Sequence, residues 1–315
     1  MKVSRMCCAV LALLVSALLL AMPARAQATC GVTISNMNFS NVDVLSGSHE
    51  DVTADITYNC NGESSEPILI CIHLGSGSGG ATGDGTRLMS SGGDQLSYQL
   101  YRGPDRSVIW GSSASGYPPE PIIVPPFSGT TSGPAIIYGR VFGNQSTAAP
   151  ASYVSMFSDV DVRYREATDT SCNDPSGTAA ASPSFTVQAT VPKDCFVTTE
   201  PVSFGLHGVL SSNLDATGAV NVTCTTATEY AIRLNGGNAD AAPDAREMRK
   251  GAEAITYGLY KSATRNDPWG DAEGATVMSS GNGTLQRHVV HGRVPPQATP
   301  SPGEYMDIVV VTVDY

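Results

Sequence analysis

Charge is scarce in this chain. Asp, Glu, Lys and Arg make up 15% of its 315 residues, against about a quarter in typical soluble domains. Basic side chains are the scarcest: 18 Lys and Arg stand against 29 Asp and Glu, a net charge of −11. A chain this acidic repels phosphate, which excludes a nucleic-acid binder. Long windows free of Gly, Pro and β-branched residues are also missing, which excludes a helical bundle. No two cysteines have the Cys-x-x-Cys spacing of a zinc or thioredoxin site, and no Gly-x-Ser-x-Gly elbow is present. What the chain has instead is turn chemistry. Its 32 Gly and 20 Pro are enough for many short strands.

The N-terminus reads as an export signal. Lys2 and Arg5 precede an apolar run from Met6 to Ala21, then Pro23 and the small-x-small triplet Ala24-Arg25-Ala26. The run is short for a bilayer span of about 20 apolar residues, so residues 1–26 are expected to be a signal peptide cleaved after Ala26. The exported chain then carries 15 basic and 29 acidic residues. It keeps six cysteines, Cys30, Cys60, Cys71, Cys172, Cys195 and Cys224, an even number that reads as three disulfides.

An internal repeat organises the rest. Arg87-Leu88-Met89, Tyr98-Gln99-Leu100-Tyr101 and Trp110-Gly111 recur at an offset of 159 as Arg246-Glu247-Met248, Tyr257-Gly258-Leu259-Tyr260 and Trp269-Gly270. Gly139-Arg140-Val141 recurs as Gly292-Arg293-Val294, Pro150 to Tyr153 as Pro302 to Tyr305, and Asp161 to Tyr164 as Thr312 to Tyr315. Two homologous domains are expected, 27–164 and 193–315, joined by 165–192. The repeat pairs Cys30 with Cys60 and Cys195 with Cys224, leaving Cys71–Cys172 as a bridge private to domain 1. Runs such as Asp55–Tyr58, Ile68–Leu74, Ile136–Tyr138, Val220–Thr223 and Met306–Tyr315, bounded by Gly, Asn, Ser and Pro, predict an all-β chain of two immunoglobulin-like antiparallel sandwiches. A helical turn is the one exception expected, near Pro243–Lys250.

Chemical motifs are weak. Gly75-Ser76-Gly77-Ser78-Gly79-Gly80 fits a dinucleotide fingerprint, but a loop follows where a helix would be needed. His288 and His291, three apart on a strand, point to opposite faces and make a poor metal pair. No cofactor, no metal and no enzymatic activity are expected.

Two other features carry more. Relative to domain 2, domain 1 has 5 extra residues between Cys60 and Arg87, placed around the Gly/Ser loop, and 6 between Gly111 and Gly139. The second excess falls in Tyr117 to Phe127, where prolines frame Ile122, Ile123, Val124 and Phe127. Either these side chains tuck into the domain's core as an edge strand, or they form a proline-stiffened apolar patch for surface contact with Tyr117. In the interdomain stretch, Phe185, Val187, Ala189 and Val191 alternate with Ser184, Thr186, Gln188 and Thr190, a strand with one apolar face. It fits as the first strand of domain 2 or as an insertion that completes domain 1.

The repeat resembles the spore coat U domain, the subunit fold of archaic Csu-type chaperone–usher pili. The matching residues are the early Cys, Val222-Thr223-Cys224, Arg-x-Met, Tyr-x-Leu-Tyr, Trp-Gly, Gly-Arg-Val, Pro-x-x-Tyr and the terminal Tyr, closest in domain 2. Domain 1 departs at Asn38-Phe39-Ser40 and Tyr58-Asn59-Cys60. The resemblance implies sandwiches of incomplete pilin type that lack a last strand, supplied first by a periplasmic chaperone and then, after an outer-membrane usher, by the next subunit's donor strand. Phe185–Val191 looks like such a donor attached in cis. Only Gln27-Ala28-Thr29 precede Cys30, and Tyr315 leaves no strand over in domain 2. The expectation is a subunit that receives but does not donate: a two-domain tip adhesin at the cell surface, attaching to a host or abiotic surface in biofilm formation. A spore-coat-type structural protein and a secreted carbohydrate-binding sandwich are the alternatives.

Overall fold

The computed structural model describes residues 27–315 apart from 114, 159, 168 and 175, so the signal-peptide segment lies outside the described residues. Among the described residues there is no helix. Twelve strands build the first sandwich: β1 (Thr29–Ile34), β2 (Met37–Asn41), β3 (Glu50–Ser64), β4 (Ile68–His73), β5 (Arg87–Ser91), β6 (Asp94–Tyr101), β7 (Glu120–Val124), β8 (Phe127–Val141), β9 (Ala151–Phe157), β10 (Asp161–Glu166), β11 (Thr178–Ala179) and β12 (Phe185–Val191). One sheet runs β1-β3-β8-β6-β5-β9-β12-β2 and the other β11-β10-β4-β7. Strand β4 is buried on both faces. Ile68, Ile70 and Ile72 belong to the core, while Leu69 and Cys71 are covered from outside by Ala167 and Cys172.

Eight strands build the second sandwich: β13 (Cys195–Glu200), β14 (Leu214–Cys224), β15 (Glu229–Leu234), β16 (Arg246–Lys250), β17 (Glu253–Tyr260), β18 (Val277–Ser280), β19 (Gln286–Val294) and β20 (Val311–Asp314). Its sheets run β13-β14-β19-β17-β16 and β18-β15-β20. The order β1-β3-β8-β6-β5 of the first sandwich is thus repeated, and the shorter sheets correspond as β10-β4-β7 and β20-β15-β18. The three bridges are Cys30–Cys60, Cys71–Cys172 and Cys195–Cys224.

The repeated motifs have physical reasons. Arg87 and Arg246 are buried cations that form no ion pair among the described residues and are held by carbonyls instead. Arg87 donates to the carbonyls of Gly75, Leu74 and Trp110 at 2.8, 3.0 and 2.7 Å, and to the Gln99 side chain. Burial pushes its pKa down to about 10. Arg246 donates to the carbonyls of Asn235, Pro243, Leu234 and Trp269. Each tryptophan in turn donates its indole N–H to a carbonyl of the neighbouring strand, Trp110 to Ile72 and Trp269 to Ile232. In the Gly-Arg-Val motif, Arg140 forks onto Asp51 at 2.7 and 2.8 Å, and Arg293 onto Asp215 at the same distances. These forks hold both carboxyls below the usual carboxylate range, against a smaller opposing effect of burial. The motif's glycines leave room for an aromatic. A side chain at Gly139 would strike Met37 and Phe39, and one at Gly292 would strike Val202 and Phe204.

Three sequence expectations change. The Pro243–Lys250 turn ends early, and Arg246–Lys250 is strand β16 because Arg246 must reach the carbonyl cradle. The run Met306–Tyr315 is a ladder strand only over Val311–Asp314. The extra residues of domain 1 do not enlarge the Gly/Ser loop. Leu74 and Leu234 occupy the same place in the two arginine cradles. Fourteen residue steps separate Cys60 from Leu74 and ten separate Cys224 from Leu234, so most of the first excess precedes Leu74. It lengthens a ribbon: β3 has 15 residues where β14 has 11, and β8 has 15 where β19 has 9.

Candidate functional site

The feature that separates the two sandwiches is one lane of sheet. In domain 1 the lane between β9 and β2 is filled by β12. Strand β12 runs antiparallel to β9, with Phe185 opposite Phe157, Val187 opposite Ser155, Ala189 opposite Tyr153 and Val191 opposite Ala151. It runs parallel to β2, with Val187 beside Met37 and Gln188 beside Asn38. Its period-two pattern puts Phe185, Val187, Ala189 and Val191 inside, all 3% exposed or less. Phe185 stacks on Phe157 with ring centroids 4.5 Å apart. The Val42 N–H donates to the Thr190 carbonyl at 2.8 Å, and the Thr186 N–H to the Asn36 side chain at 2.9 Å. Burying Phe or Val side chains stabilises by about 1.5–3 kcal/mol each, so this strand is a main support of the domain 1 core.

The same lane in domain 2 holds no strand among the described residues. Its walls are identified by the repeat. Met306 stands where Val154 does, bridging Arg249 as Val154 bridges Ser90. Residues 303–309 are therefore the counterpart of β9, and Val202 to Phe204 the counterpart of Met37 to Phe39. The inward side chains of β9, Tyr153, Ser155 and Phe157, are 0–1% exposed. Their counterparts Tyr305, Asp307 and Val309 are only half-buried, as are Val202 and Phe204. Around them Leu206, Val209, Met306, Ile308 and Val310 are exposed. An apolar rim around an unpaired sheet lane marks an interaction surface. The missing neighbour also explains why the strand expected over 306–315 begins only at Val311.

The floors of the two lanes differ most in chemistry at one position, Ser155 in domain 1 and Asp307 in domain 2. Ser155 faces the buried Tyr98 hydroxyl, whose pKa burial pushes up to about 12 and Ser155 partly restores. In domain 2 the Tyr257 hydroxyl donates to Asp307 Oδ2 at 2.6 Å, while Asp307 Oδ1 accepts the backbone N–H groups of Asn238 and Ile308 at 2.8 and 2.9 Å. Burial, then the Asp307 carboxylate, push Tyr257 up further. This close fit is why the Gly/Ser loop carries glycine: Gly77 and Gly237 have φ of 73° and 71°, and a side chain at either would strike Ser155 or Asp307. Sequence reading missed Ser155 and Asp307. The signal was present in the repeat, since both lie two residues after the Pro-x-x-Tyr tyrosine.

The proposed contact patch is corrected. Residues 120–124 form β7 at the edge of the shorter sheet, paired with β4. The strand's alternation sends Ile122 and Val124 into the core, 8% and 0% exposed, and leaves Ile123 alone outside. Phe127 is half-buried against the core, and Tyr117 is pinned by donating its hydroxyl to the Asp84 carbonyl at 3.1 Å. No continuous apolar patch remains there. Among the described residues no group of three or more His, Cys, Asp and Glu is placed to hold a metal. His288 turns to the Tyr230 hydroxyl at 2.8 Å, and burial pushes its pKa down.

Comparison with known proteins agrees with this duplicated architecture. The profile of the Spore Coat Protein U domain matches residues 15–158 and again 181–312. Protein U of Myxococcus xanthus is 32% identical over 127 residues, covering 38% of this chain and 70% of that protein. Among solved structures, the CsuC–CsuE chaperone–tip adhesion subunit pre-assembly complex from archaic chaperone–usher Csu pili of Acinetobacter baumannii aligns over 91% of this chain and 100% of the other. The identity is 16% and the TM-score 0.50. The CupB6 tip adhesin from Pseudomonas aeruginosa aligns over 90% and 93%, at 12% identity and a TM-score of 0.41. The profile matches twice, and the two matches together span most of the sequence: the chain belongs to the Spore Coat Protein U domain family.

Proposed function

We propose that this protein is a pilus subunit of the chaperone–usher type, placed at the fibre tip, whose second domain accepts a strand from its neighbour. The observation that carries the reading is the open lane between residues 303–309 and Val202–Phe204, the counterpart of the lane that β12 already fills in domain 1. Backbone ladder bonds from an added strand give affinity, and its alternate side chains, dropped into the lane, give register. A periplasmic chaperone holds the lane during export, and an usher passes the subunit to the next one. Domain 1, complete in itself, takes no part in the exchange and faces outward. Its lengthened β3–β8 ribbon supports that orientation. Thr226 of domain 2 donates to the Ser146 carbonyl near the Glu50–Val141 end of the ladder, and the extra rungs lie at the opposite end, Ser64 against Phe127. That far pole meets the surface to which the cell attaches and on which a biofilm begins.

Closing the lane tests this. A copy of residues 165–191 appended after Tyr315, with Cys172→Ser in the copy, repeats the connection by which β12 reaches its place in domain 1. The extended protein is expected to be exported and folded yet absent from surface fibres by immunoelectron microscopy. Undiminished incorporation contradicts the reading.

A further inference from the structure

The filled lane of domain 1 is a template for the occupant of domain 2, an argument that rests on the strand-accepting function just proposed. Directly opposed residues of an antiparallel pair stand with Cβ atoms about 4.5–5.5 Å apart on the same face. A strand entering domain 2 in the β12 register therefore places successive inward residues opposite Val309, Asp307, Tyr305 and Gly303. Three of these positions ask for what β12 offers. Val309 is smaller than Phe157 and leaves room for an aromatic. Tyr305 matches Tyr153, which faces Ala189. Gly303 leaves at least the space that Ala151 leaves for Val191.

The fourth position differs. Val187 of β12 lies on Ser155, and both are completely buried. In domain 2 the same spot is a carboxylate. A carboxylate offers about four acceptor sites. Tyr257, Asn238 and Ile308 use three of them and leave one on Oδ2. Water can serve that site while Asp307 is half-buried. A valine laid over it removes the water and returns nothing, whereas a side chain of the same shape with a hydroxyl satisfies it.

We propose that Asp307 sets the specificity of the domain 2 lane: it favours a donor strand with a hydrogen-bond-donating residue, Thr, Ser or Asn, facing it, over strands like the chain's own β12, which carry Val there and fill the lane only when tethered to the same chain. Copies of this protein are thereby kept from completing one another through residues 185–191.

The test uses the full chain with the appended 165–191 copy, in two forms that differ only by Val187→Thr in the copy. The unfolding midpoint of domain 2 is read by calorimetry. The Thr tail is expected to raise it about 5 °C more than the Val tail. In a host carrying Asp307→Ser, which restores the domain 1 arrangement, that advantage is expected to vanish. The comparison in the unsubstituted chain leaves the contacts of Asp307 intact, so it stands even where Asp307→Ser fails to fold. Equal midpoints for the two tails, or an advantage of Thr that persists in the Asp307→Ser host, overturn the assignment to Asp307. If neither tail raises the midpoint above that of the untailed chain, it is the strand-accepting reading that fails.

Discussion

Replacing Val187 by aspartate is expected to unfold domain 1 and leave domain 2 standing. Val187 is 0% exposed, between Ser155 on β9 and Met37 on β2. The substitution forfeits about 2 kcal/mol of apolar burial. It also buries a carboxylate whose facing donor is a single neutral hydroxyl, that of Ser155, with no cation to pair it, which costs several kcal/mol more. Together these approach the whole stability of an ordinary domain, about 5–15 kcal/mol. The two sandwiches have separate cores, so the loss stays on one side. Calorimetry is expected to lose the domain 1 transition and keep the other, and limited proteolysis to cut within 27–191. Gln188→Asp, one residue along and exposed, is the control: it should change stability by less than about 0.5 kcal/mol. Equal behaviour of the two variants would mean that β12 is not held in the lane.

The second large effect is expected from Arg246→Met. Its guanidinium is 0% exposed and donates to four carbonyls, at 2.9 Å to Asn235, 2.6 Å to Pro243, 3.1 Å to Leu234 and 2.9 Å to Trp269. Those carbonyls belong to the β15 end, the turn before β16 and the segment after Trp269, so a single side chain ties three connections together. Methionine fills much of the volume and leaves the acceptors dry. Each orphaned buried acceptor costs about 1–3 kcal/mol before relaxation, and a net loss of about 3–5 kcal/mol is the expected outcome. That lowers the domain 2 midpoint by about 15 °C. Arg246→Lys should recover only part of the loss, because an ammonium has three donors and no planar fork. A midpoint for Arg246→Met within two degrees of the parent would show that the cradle adds little to stability.

Much of this architecture is written in the chain as a repeat. Arg87 and Arg246, Trp110 and Trp269, and Gly-Arg-Val recur because each copy needs the same cradle, the same indole bond and the same arginine fork. The alternation of Phe185 to Val191 is legible because a strand buried on one face and ladder-bonded along both edges has no other pattern. The proline-framed 117–127 segment was ambiguous for a physical reason. Prolines are tolerated at a sheet edge and in an exposed loop alike, and only pairing with β4 decides which side chains turn inward. The added residues of domain 1 were misplaced because length alone does not distinguish a longer loop from a longer ladder. Ser155 and Asp307 escaped notice because their importance comes from Tyr98 and Tyr257, about fifty residues away in sequence, which only the sheet order brings beside them.

The central claim is that two equivalent lanes exist, one filled and one open, and amide hydrogen exchange on the full chain reads it directly. Met306 exchanges backbone bonds with Arg249, so the neighbouring amides of Tyr305, Asp307 and Val309 point the other way, into the lane. They are expected to exchange on the order of 10³ times faster than the amides of Tyr153, Ser155 and Phe157, which face β12. Comparable protection of the two sets would contradict the account.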